Sequence, residues 1–435
     1  MDYQGSLSKM QDNFCGKGRG FSFSIDIEPG VTARAGEILQ KAGMPRELFL
    51  VGDENTFGAA KGLEDTLTAA GFSLNKKVYP NLNVARISTG KALAEEIAQT
   101  PARGILAVGT GTVIDTSRIA AFTLGFPYAV YGTAPSMDGF ASSSASMIHE
   151  GYKRTYYVDP PKAVMGDVDV LDAAPAELLA SGMGDVLGKY VALADWQIAN
   201  LLTGECYCGD MDAVVRDAAD EMVRLAPDVL KHTPGVGGGI MKGLMLPGIA
   251  MSFCGTSRPA SGAEHYLAHC WEILAVRDGR EPCPHGRKVG VAAILMADMY
   301  HRLAEIDGMQ FKRTRRDPAE IEAFYGSIYP EIAKELAEDV TNDMAVERVA
   351  SIWPQVREIL RAMPSAEVIA GALKTAGGAV APEDVHVGAE LARQTLIMSR
   401  YARNRLTLYK LFDFLDVDDD FCLISLDRLP EILGE

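Results

Sequence analysis

The sequence predicts two domains: an α/β domain with a parallel sheet over residues 1–168, and an all-α domain over residues 169–435. Short apolar runs alternate with helical segments in the first part, and a glycine-rich turn follows one of these runs. Long helical periodicities fill most of the second part. The chain has 435 residues, of which 48% are hydrophobic and 23% charged, so it can bury a core in each domain.

The elements of the first domain follow in order. ELFLVGDENT reads as a strand that ends in a polar turn, KGLEDTLTAAG as a helix closed by glycine, and SLNKKVYP as the next strand. KALAEEIAQT then predicts a helix, GILAVGTGTVID a strand, turn and helix start, and PYAVYGTAPS a further strand. This alternation predicts parallel pairing. The prolines and acidic residues of DPPKAVMGDVDVLDAAP indicate a turn region before PAELLASGMGDVLGKYVALADWQIANLL, a long helical segment.

The charge balance excludes some partners. The net charge is -16, from 42 basic and 58 acidic residues, which opposes binding to nucleic acids or anionic lipid surfaces. The first twenty residues show no basic segment followed by an apolar stretch. The longest apolar passage, IMKGLMLPGIAMSFCG, contains lysine and proline and is shorter than the ~20 residues of a membrane span. We therefore expect a cytoplasmic protein with no nucleic-acid partner and no membrane insertion.

A glycine-rich turn indicates a nucleotide site. In GILAVGTGTVID the strand is expected to end at Val108, with Gly109 and Gly111 allowing a tight turn into a helix over 112–121. The free amides at such a helix start bind phosphate oxygens. The turn is only part of a GxGxxG fingerprint. Asp53, at the end of LFLVGD, either accepts hydrogen bonds from ribose hydroxyls, which favours NAD over NADP, or caps a helix. These features predict a Rossmann-like nucleotide-binding domain.

Three further residues suit a metal site: Asp185 in MGDVLGKY, His265 in SGAEHYLAH and His285 in CPHGRKVG. One carboxylate and two imidazoles, with room for another ligand, fit a divalent cation that acts as a Lewis acid. Each residue also has a structural interpretation, and for His265 this is a packing or surface position on a helix. Asp185 can pair with Lys189 four residues later, and His285 can cap the apolar helix that follows it.

The box Ser261-x-x-Glu264 predicts a helix start, which places His265 and His269 one turn apart on the same face. Two interpretations follow from this spacing. Both histidines bind one metal ion, or His265 binds the metal while His269 points at the substrate.

Several segments together resemble a known family. GTGTVIDTSR, TAPSMDGFASSSAS, SGMGDVLGKY, RPASGAEHYLAH and PHGRKVG are similar, in order and over most of the chain, to glycerol-1-phosphate dehydrogenases. This family is a branch of the superfamily of iron-type alcohol dehydrogenases and dehydroquinate synthases. TAPSMDGFASSSAS is the most specific segment. One departure is Thr110, which stands between two glycines where the family often has GGG.

The resemblance implies roles for particular residues. It makes Asp185, His265 and His285 the metal ligands, and it makes His269 a substrate contact rather than a ligand. Asp138 and His269 are the implied catalytic residues, and the substrate contacts are Asp138, Asp185 and His269. The implied cofactor-binding residues are Asp53, Gly109, Thr110, Gly111, Thr112, Val113, Thr133, Ala134, Pro135, Ser136 and Ser142.

The resemblance also implies a reaction: the reversible, metal-dependent reduction of dihydroxyacetone phosphate by NAD(P)H to sn-glycerol 1-phosphate. The expected cofactor is NAD(H), with NADP(H) as the alternative, and the expected metal is zinc or nickel, with iron also compatible. A homodimer or larger homo-oligomer and a place in phospholipid biosynthesis are implied as well. The proton source is His269, a water on the metal or a relay through the cofactor ribose.

The substrate phosphate requires cationic or N–H donors, and the basic residues beside the matched segments are candidates: Arg258, Lys189, Lys153 and Arg154.

Three other functions compete with the main hypothesis. One is a polyol or glycerol dehydrogenase acting on an unphosphorylated substrate. The second is a sugar-phosphate cyclase similar to dehydroquinate synthase, which is a lyase. The third is a nucleotide-binding protein without turnover.

Overall fold

A six-stranded, wholly parallel sheet forms the first half of the protein. The computed structural model describes residues 2–12 and 23–435. The sheet strands are β1 Ser24–Glu28, β2 Glu47–Asp53, β3 Ser73–Tyr79, β4 Gly104–Gly109, β5 Tyr128–Gly132 and β8 Ala163–Asp167. Across the sheet they lie in the order β1-β8-β5-β4-β2-β3. An antiparallel hairpin, β6 Ser144–His149 and β7 Tyr152–Tyr157, is inserted between β5 and β8.

Helices connect the strands and then make up the rest of the chain. Those of the first part are α1 Tyr3–Asp12, α2 Val31–Lys41, α3 Glu54–Ala59, α4 Leu63–Ala69, α5 Ile87–Ala98, α6 Gly111–Leu124 and α7 Val168–Asp172. Those that follow are α8 Ala176–Leu187, α9 Lys189–Thr203, α10 Gly209–Val229, α11 Val236–Cys254, α12 Ala263–Arg277, α13 His285–Ala304, α14 Pro318–Tyr325, α15 Tyr329–Ala337, α16 Val346–Arg361, α17 Ala366–Thr375, α18 Ala389–Met398, α19 Leu408–Leu411, α20 Asp419–Asp427 and α21 Leu429–Ile432. Short 3-10 turns cover Gly139–Ala141, Gly326–Ile328, Pro382–Val385, Ser399–Tyr401 and Phe412–Phe414.

The predicted fold class is confirmed: a parallel sheet flanked by helices precedes a helical half. The predicted strands correspond to β2, β3, β4 and β5, and the predicted helices to α4, α5 and α6. The turn between β4 and α6 is two residues shorter than expected, because β4 runs to Gly109 and α6 begins at Gly111, which leaves Thr110 alone between them.

Strand β8 was not predicted, because its AVMGD segment was interpreted as part of a turn region. All five of its residues are buried, and it lies between β1 and β5 in the sheet. A short strand covered on both faces has no polar alternation to mark it, and the flanking prolines and aspartates obscured its apolar run. Strand β1 and the β6–β7 hairpin were also not predicted. The long helical segment is broken at Gly188 into α8 and α9.

Helix α11 is long and apolar enough to cross a membrane by length and composition alone. However, 78% of its most apolar 18-residue window is buried inside the protein, and the helix packs against α10 and α8. Its apolar character is therefore accounted for by its position in the core.

Candidate functional site

A cleft of about 1370 Å³ separates the carboxyl ends of the sheet strands from the helical half. Its walls come from the end of β2, the turn between β4 and α6, residues 136–144, the β6–β7 hairpin, α12 and the start of α13. The carboxyl ends of parallel strands all open at this edge, which is where open α/β sheets bind ligands.

Three side chains in and below this cleft meet the requirements of a metal site. Asp185 on α8, His265 on α12 and His285, the first residue of α13, each offer a ligand atom, and these atoms lie within 4.8 Å of one another. His285 Nδ1 is buried and has no hydrogen-bond partner within residues 2–12 and 23–435. One carboxylate and two imidazoles leave coordination positions open for water or substrate. The residues therefore fit one divalent cation.

Glycines allow α8 and α13 to approach closely enough to form this cluster. A Cβ atom added to Gly286 would lie 1.8 Å from the carbonyl oxygen of Ser181, and one added to Gly184 would lie 2.4 Å from that of Gly286. Similarly, a Cβ atom on Gly182 would lie 1.9 Å from the carbonyl oxygen of Pro135. No real side chain tolerates such distances. The glycines of SGMGD and PHG therefore bring Asp185 next to His285.

Asp185 is held by two neighbours. Lys189 donates to its Oδ1 at 2.7 Å, and the amide of Asp138 donates to its Oδ2 at 2.9 Å. Lys189 Nζ also lies 2.6 Å from Asp138 Oδ2, and the Lys189 side chain is fully buried. The Asp185–Lys189 pair is therefore present, as the spacing of four residues predicts. It is buried inside the site, where Lys189 also contacts the carboxylate of Asp138.

These charges set the protonation states of the two aspartates. Burial favours the neutral form of Asp185, but the charge of Lys189 and its hydrogen bond to Oδ1 outweigh burial and hold the pKa of Asp185 below its usual value. Burial, and then the charge of Asp185, raise the pKa of Asp138. Asp185 is therefore the carboxylate that stays ionised, as a metal ligand must be.

His265 is oriented by the residue before it. Glu264 Oε1 lies 2.6 Å from His265 Nδ1, which leaves Nε2 facing Asp185 Oδ1 at 3.8 Å. Glu264 Oε1 also accepts from the amide of Gly262 at 2.9 Å. A carboxylate behind a ligating histidine fixes the ring and its tautomer. The prediction that Ser261 caps this helix is wrong: α12 begins at Ala263 with Gly262 as N-cap, and Ser261 Oγ instead accepts from Arg405.

His269 lies beside the three metal-site residues. Its ring centroid is 5.5 Å from those of His265 and His285, and its side chain lines the cleft. Burial, followed by the charge of Lys153, lowers the pKa of His269 well below its usual value. Burial also lowers the pKa of His285, although Asp185 opposes that shift. Both rings are therefore neutral, the form that binds a metal or accepts a hydrogen bond.

The residues predicted to bind the cofactor form two groups. Seven of them line the cleft together: Asp53, Thr110, Gly111, Thr112, Val113, Ser136 and Ser142. The other four lie behind this surface, where the Thr133 amide donates to the Gly109 carbonyl at 3.3 Å and Ala134 and Pro135 continue the same segment. Asp53 Oδ1 accepts from the Thr56 amide at 2.8 Å, so Asp53 caps α3 while also lining the cleft.

Arg118 is a residue that the sequence analysis missed. It lies on α6, is 1% exposed, and donates to the Tyr128 hydroxyl at 2.7 Å and to the Gly139 carbonyl at 2.7 Å. It also donates to the Ser144 carbonyl and pairs with Asp115 at 3.1 Å. The guanidinium therefore fixes the segment that carries Asp138 and Ser142. The sequence feature that could have revealed Arg118 is its position, because it is a charged residue on the apolar face of the helix that starts at the glycine turn.

Of the four phosphate-binding candidates, only Lys153 lines the cleft. Lys153 Nζ contacts Glu272 at 2.8 Å, and Lys288 Nζ contacts the same carboxylate at 3.0 Å. Burial raises the pKa of Glu272, but the two lysines outweigh it, so the net pKa lies below the usual value and the carboxylate is ionised. Glu272 and Lys288 were not singled out from the sequence, although Lys288 stands in the matched segment PHGRKVG.

Comparisons with known proteins identify similar sequences. A family model described as iron-containing alcohol dehydrogenase matches residues 26–175. The glycerol-1-phosphate dehydrogenase [NAD(P)+] of Bacillus subtilis is 31% identical over 367 residues, which cover 83% of this chain and 84% of that enzyme. The enzyme of the same name from Pyrococcus horikoshii is 34% identical over 265 residues, which cover 58% of this chain and 71% of that enzyme.

Solved structures share the fold over nearly the whole chain. A probable glycerol dehydrogenase from Sinorhizobium meliloti superposes with a TM-score of 0.63 at 16% identity, covering 95% of this chain and 98% of its own. The glycerol dehydrogenase of Schizosaccharomyces pombe superposes with a TM-score of 0.63 at 14% identity, covering 96% of this chain and 92% of its own. At these identities the likeness concerns the fold.

Proposed function

Because the chain belongs to the glycerol-1-phosphate dehydrogenase family of the iron-containing alcohol dehydrogenases, we propose that it reduces dihydroxyacetone phosphate with NAD(P)H. The product is sn-glycerol 1-phosphate, and the reaction is reversible and metal-dependent. The chain is thus an oxidoreductase acting on a secondary alcohol and the corresponding ketone.

One observation carries the proposal: the ligand set of Asp185, His265 and His285 lies at the cleft that also contains the β4–α6 turn. Hydride must reach the carbonyl carbon while the cation polarises the carbonyl through its oxygen, so the two sites must meet in one cavity. His269 lines the same cleft beside His265 and His285, where a substrate contact is required.

The proposed roles follow from this placement. Asp185, His265 and His285 hold the cation, which when bound supplies Lewis-acid polarisation of the substrate carbonyl. Asp138 and His269 contact the substrate. The first turn of α6 provides free amides for the cofactor pyrophosphate. Of the remaining proposed cofactor contacts, Asp53, Ser136 and Ser142 line the same cleft, and Gly109 and the segment from Thr133 to Pro135 lie directly behind it.

The decisive experiment loads the protein with zinc, nickel or iron in turn and follows NADH oxidation with dihydroxyacetone phosphate. We expect turnover, with sn-glycerol 1-phosphate as the only enantiomer formed. His285→Ala should abolish it. Absence of oxidation with every metal, or formation of the 3-phosphate enantiomer, would contradict the proposal.

The same assay separates the alternative functions. A polyol dehydrogenase would prefer dihydroxyacetone or glycerol to the phosphorylated ketone. A cyclase similar to dehydroquinate synthase would release inorganic phosphate from its sugar-phosphate substrate without net change in NADH. A protein that only binds nucleotide would bind NADH without consuming it.

We further propose that NAD(H) is preferred over NADP(H), because the Asp53 carboxylate lines the cleft and repels a ribose 2′-phosphate. Asp53→Ser keeps a side chain that can cap α3 while removing the charge. The ratio of kcat/KM for NADH to that for NADPH should fall in this variant. An unchanged ratio would assign Asp53 to capping alone.

Several finer features belong to the same proposal. We propose that the protein is a cytoplasmic homo-oligomer and that its product enters phospholipid biosynthesis. Size-exclusion chromatography with light scattering tests the oligomeric state, and a mass corresponding to one chain would contradict it.

A further inference from the structure

Two buried lysines share a single carboxylate in the wall of the cleft. Lys153 from β7 contacts Glu272 on α12 through both carboxylate oxygens, at 2.9 and 2.8 Å, and Lys288 on α13 contacts the same carboxylate at 3.0 Å. The side chains of Lys153 and Lys288 are 7% and 3% exposed. We call these three residues the Lys153–Glu272–Lys288 cluster.

The cluster lies about one helical turn from His269 and His285 along α12 and α13. Glu272 follows His269 by three residues on α12, and Lys288 follows His285 by three residues on α13. Residues at this spacing share a helix face. All three members of the cluster line the same cleft as His269 and His285.

The charges of the cluster do not balance. Two ammonium groups face one carboxylate, which leaves one positive charge in a largely buried position. Arg403 leaves this excess unchanged, because its guanidinium donates to the Lys153 carbonyl at 3.0 Å and pairs with its own carboxylate, Glu335, at 3.7 Å. A buried charge without a partner is costly, and an anion bound beside the lysines removes that cost.

The other basic candidates have no such excess charge. Lys189 lies between two carboxylates, those of Asp138 and Asp185. Arg258 pairs with Glu205, and Arg154 pairs with Glu331. Neither Lys189, Arg258 nor Arg154 lines the cleft. Among these candidates, only Lys153 both lines the cleft and shares its carboxylate with a second lysine.

We propose that Lys153 and Lys288, held in place by Glu272, bind the phosphoryl group of the substrate. This inference rests on the proposed function and specifies how the site distinguishes a phosphorylated ketone from an unphosphorylated one. The phosphoryl oxygens accept charge-assisted hydrogen bonds from the two ammonium groups. Glu272 is a positioning residue, because it keeps the two lysines together when no anion is bound.

The test compares Lys288→Met and Lys153→Met with the parent protein, using dihydroxyacetone phosphate and dihydroxyacetone as substrates. Each variant leaves Glu272 with one lysine, a balanced pair, so we expect it to fold. The KM for dihydroxyacetone phosphate should rise about tenfold to hundredfold, as for the loss of a hydrogen bond to a charged group. The kinetics with dihydroxyacetone should stay unchanged.

Arg154→Met is the matched control, because Arg154 follows Lys153 on β7 but pairs with Glu331 outside the cleft. It should leave both substrates unaffected. Equal losses on both substrates in the lysine variants, or an unchanged KM for the phosphorylated ketone, would overturn the inference.

A binding measurement separates this inference from the proposed function. Inorganic phosphate should raise the melting temperature of the parent protein saturated with NADH, which occupies the cofactor phosphate site, but not that of Lys153→Met or Lys288→Met. If the parent does not turn over dihydroxyacetone phosphate, the proposed function fails, and the phosphate-dependent shift still tests the cluster. Equal shifts in the parent and both variants would overturn the inference.

Discussion

Glu264 shows how a residue outside the ligand set determines the properties of the site. It is fully buried, and its carboxylate contacts the Nδ1 of His265. The sequence placed Glu264 in a capping box, but its carboxylate instead accepts from the Gly262 amide and contacts the His265 ring. Local spacing could not distinguish these roles, because the partner of a helix-start glutamate depends on where the helix begins.

We expect Glu264→Ala to weaken metal binding by about tenfold to hundredfold, since the His265 ring loses the group that fixes its orientation. Competition with a chromogenic chelator measures the dissociation constant. Glu322→Ala, at an exposed glutamate of α14, is the control and should leave metal affinity unchanged. Equal affinity in Glu264→Ala and the parent would show that the contact is incidental.

Arg118 is another residue that acts through its neighbours, because it holds the segment of residues 139–144 that lines the cleft. Arg118→Met keeps the length of the side chain but leaves the partly buried carbonyls of residues 139 and 144 without their donor, which costs at most about 1–3 kcal/mol of stability per unsatisfied group. We expect a raised KM for NADH and a lower melting temperature, with metal affinity unchanged. Arg118→Lys should recover only part of the loss, because an ammonium group lacks the planar fork of donors. Arg103→Met, at an exposed arginine, should have neither effect.

At the level of elements, glycines determine the contact between α8 and α13. The two helices carry Asp185 and His285, and they meet at Gly184, Gly286 and Gly290, where a Cβ atom on any of the three would lie 3.1 Å or less from a backbone atom of the other helix. The sequence shows these glycines but does not reveal the close helix contact that requires them. Their role follows only from the position of a second helix far away in the chain.

Gly286→Ala should therefore separate the two helices, lower the melting temperature and weaken metal binding, because its Cβ atom would lie 1.8 Å from the Ser181 carbonyl oxygen. Gly371→Ala on α17 is the matched control. Nothing lies within 4 Å of a Cβ atom at that helical glycine, so the change should be neutral or stabilise the protein by about 0.5–1 kcal/mol. Similar behaviour of the two variants would contradict the role of close packing. Thermal unfolding and chelator competition provide both measurements.

The elements found from sequence were those with clear periodicity or clear end signals. Strands β2, β3, β4 and β5 each end near a glycine, a proline or a polar turn, and α4 and α5 show the helical repeat of apolar residues. Strand β8 has no alternation because both of its faces are covered. The division of the chain at residue 168 stays a prediction, although β8 ends at Asp167.

For the whole molecule, the proposed cation connects three helices that are far apart in sequence. Asp185, His265 and His285 come from α8, α12 and α13, so an ion that binds the folded state and not the unfolded chain stabilises the fold. At a free metal concentration 100 times the dissociation constant, the gain is about 2.7 kcal/mol. We expect chelation to lower the melting temperature of the parent. The melting temperature of His285→Ala should respond much less, and equal responses would argue against a metal site at these residues.

The sequence by itself determined the fold class, and it predicted the nucleotide turn and the three candidate metal-site residues, because each depends on local patterns or on short segments that resemble a family. The tertiary structure alone decided how the charges are paired. Lys189 lies between Asp138 and Asp185, Arg258 pairs with Glu205, and Lys153 shares Glu272 with Lys288. Whether a cation is free to bind a substrate depends on which carboxylates the fold places beside it. That neighbourhood is set by the packing of β7, α12 and α13, which no local pattern in the sequence encodes.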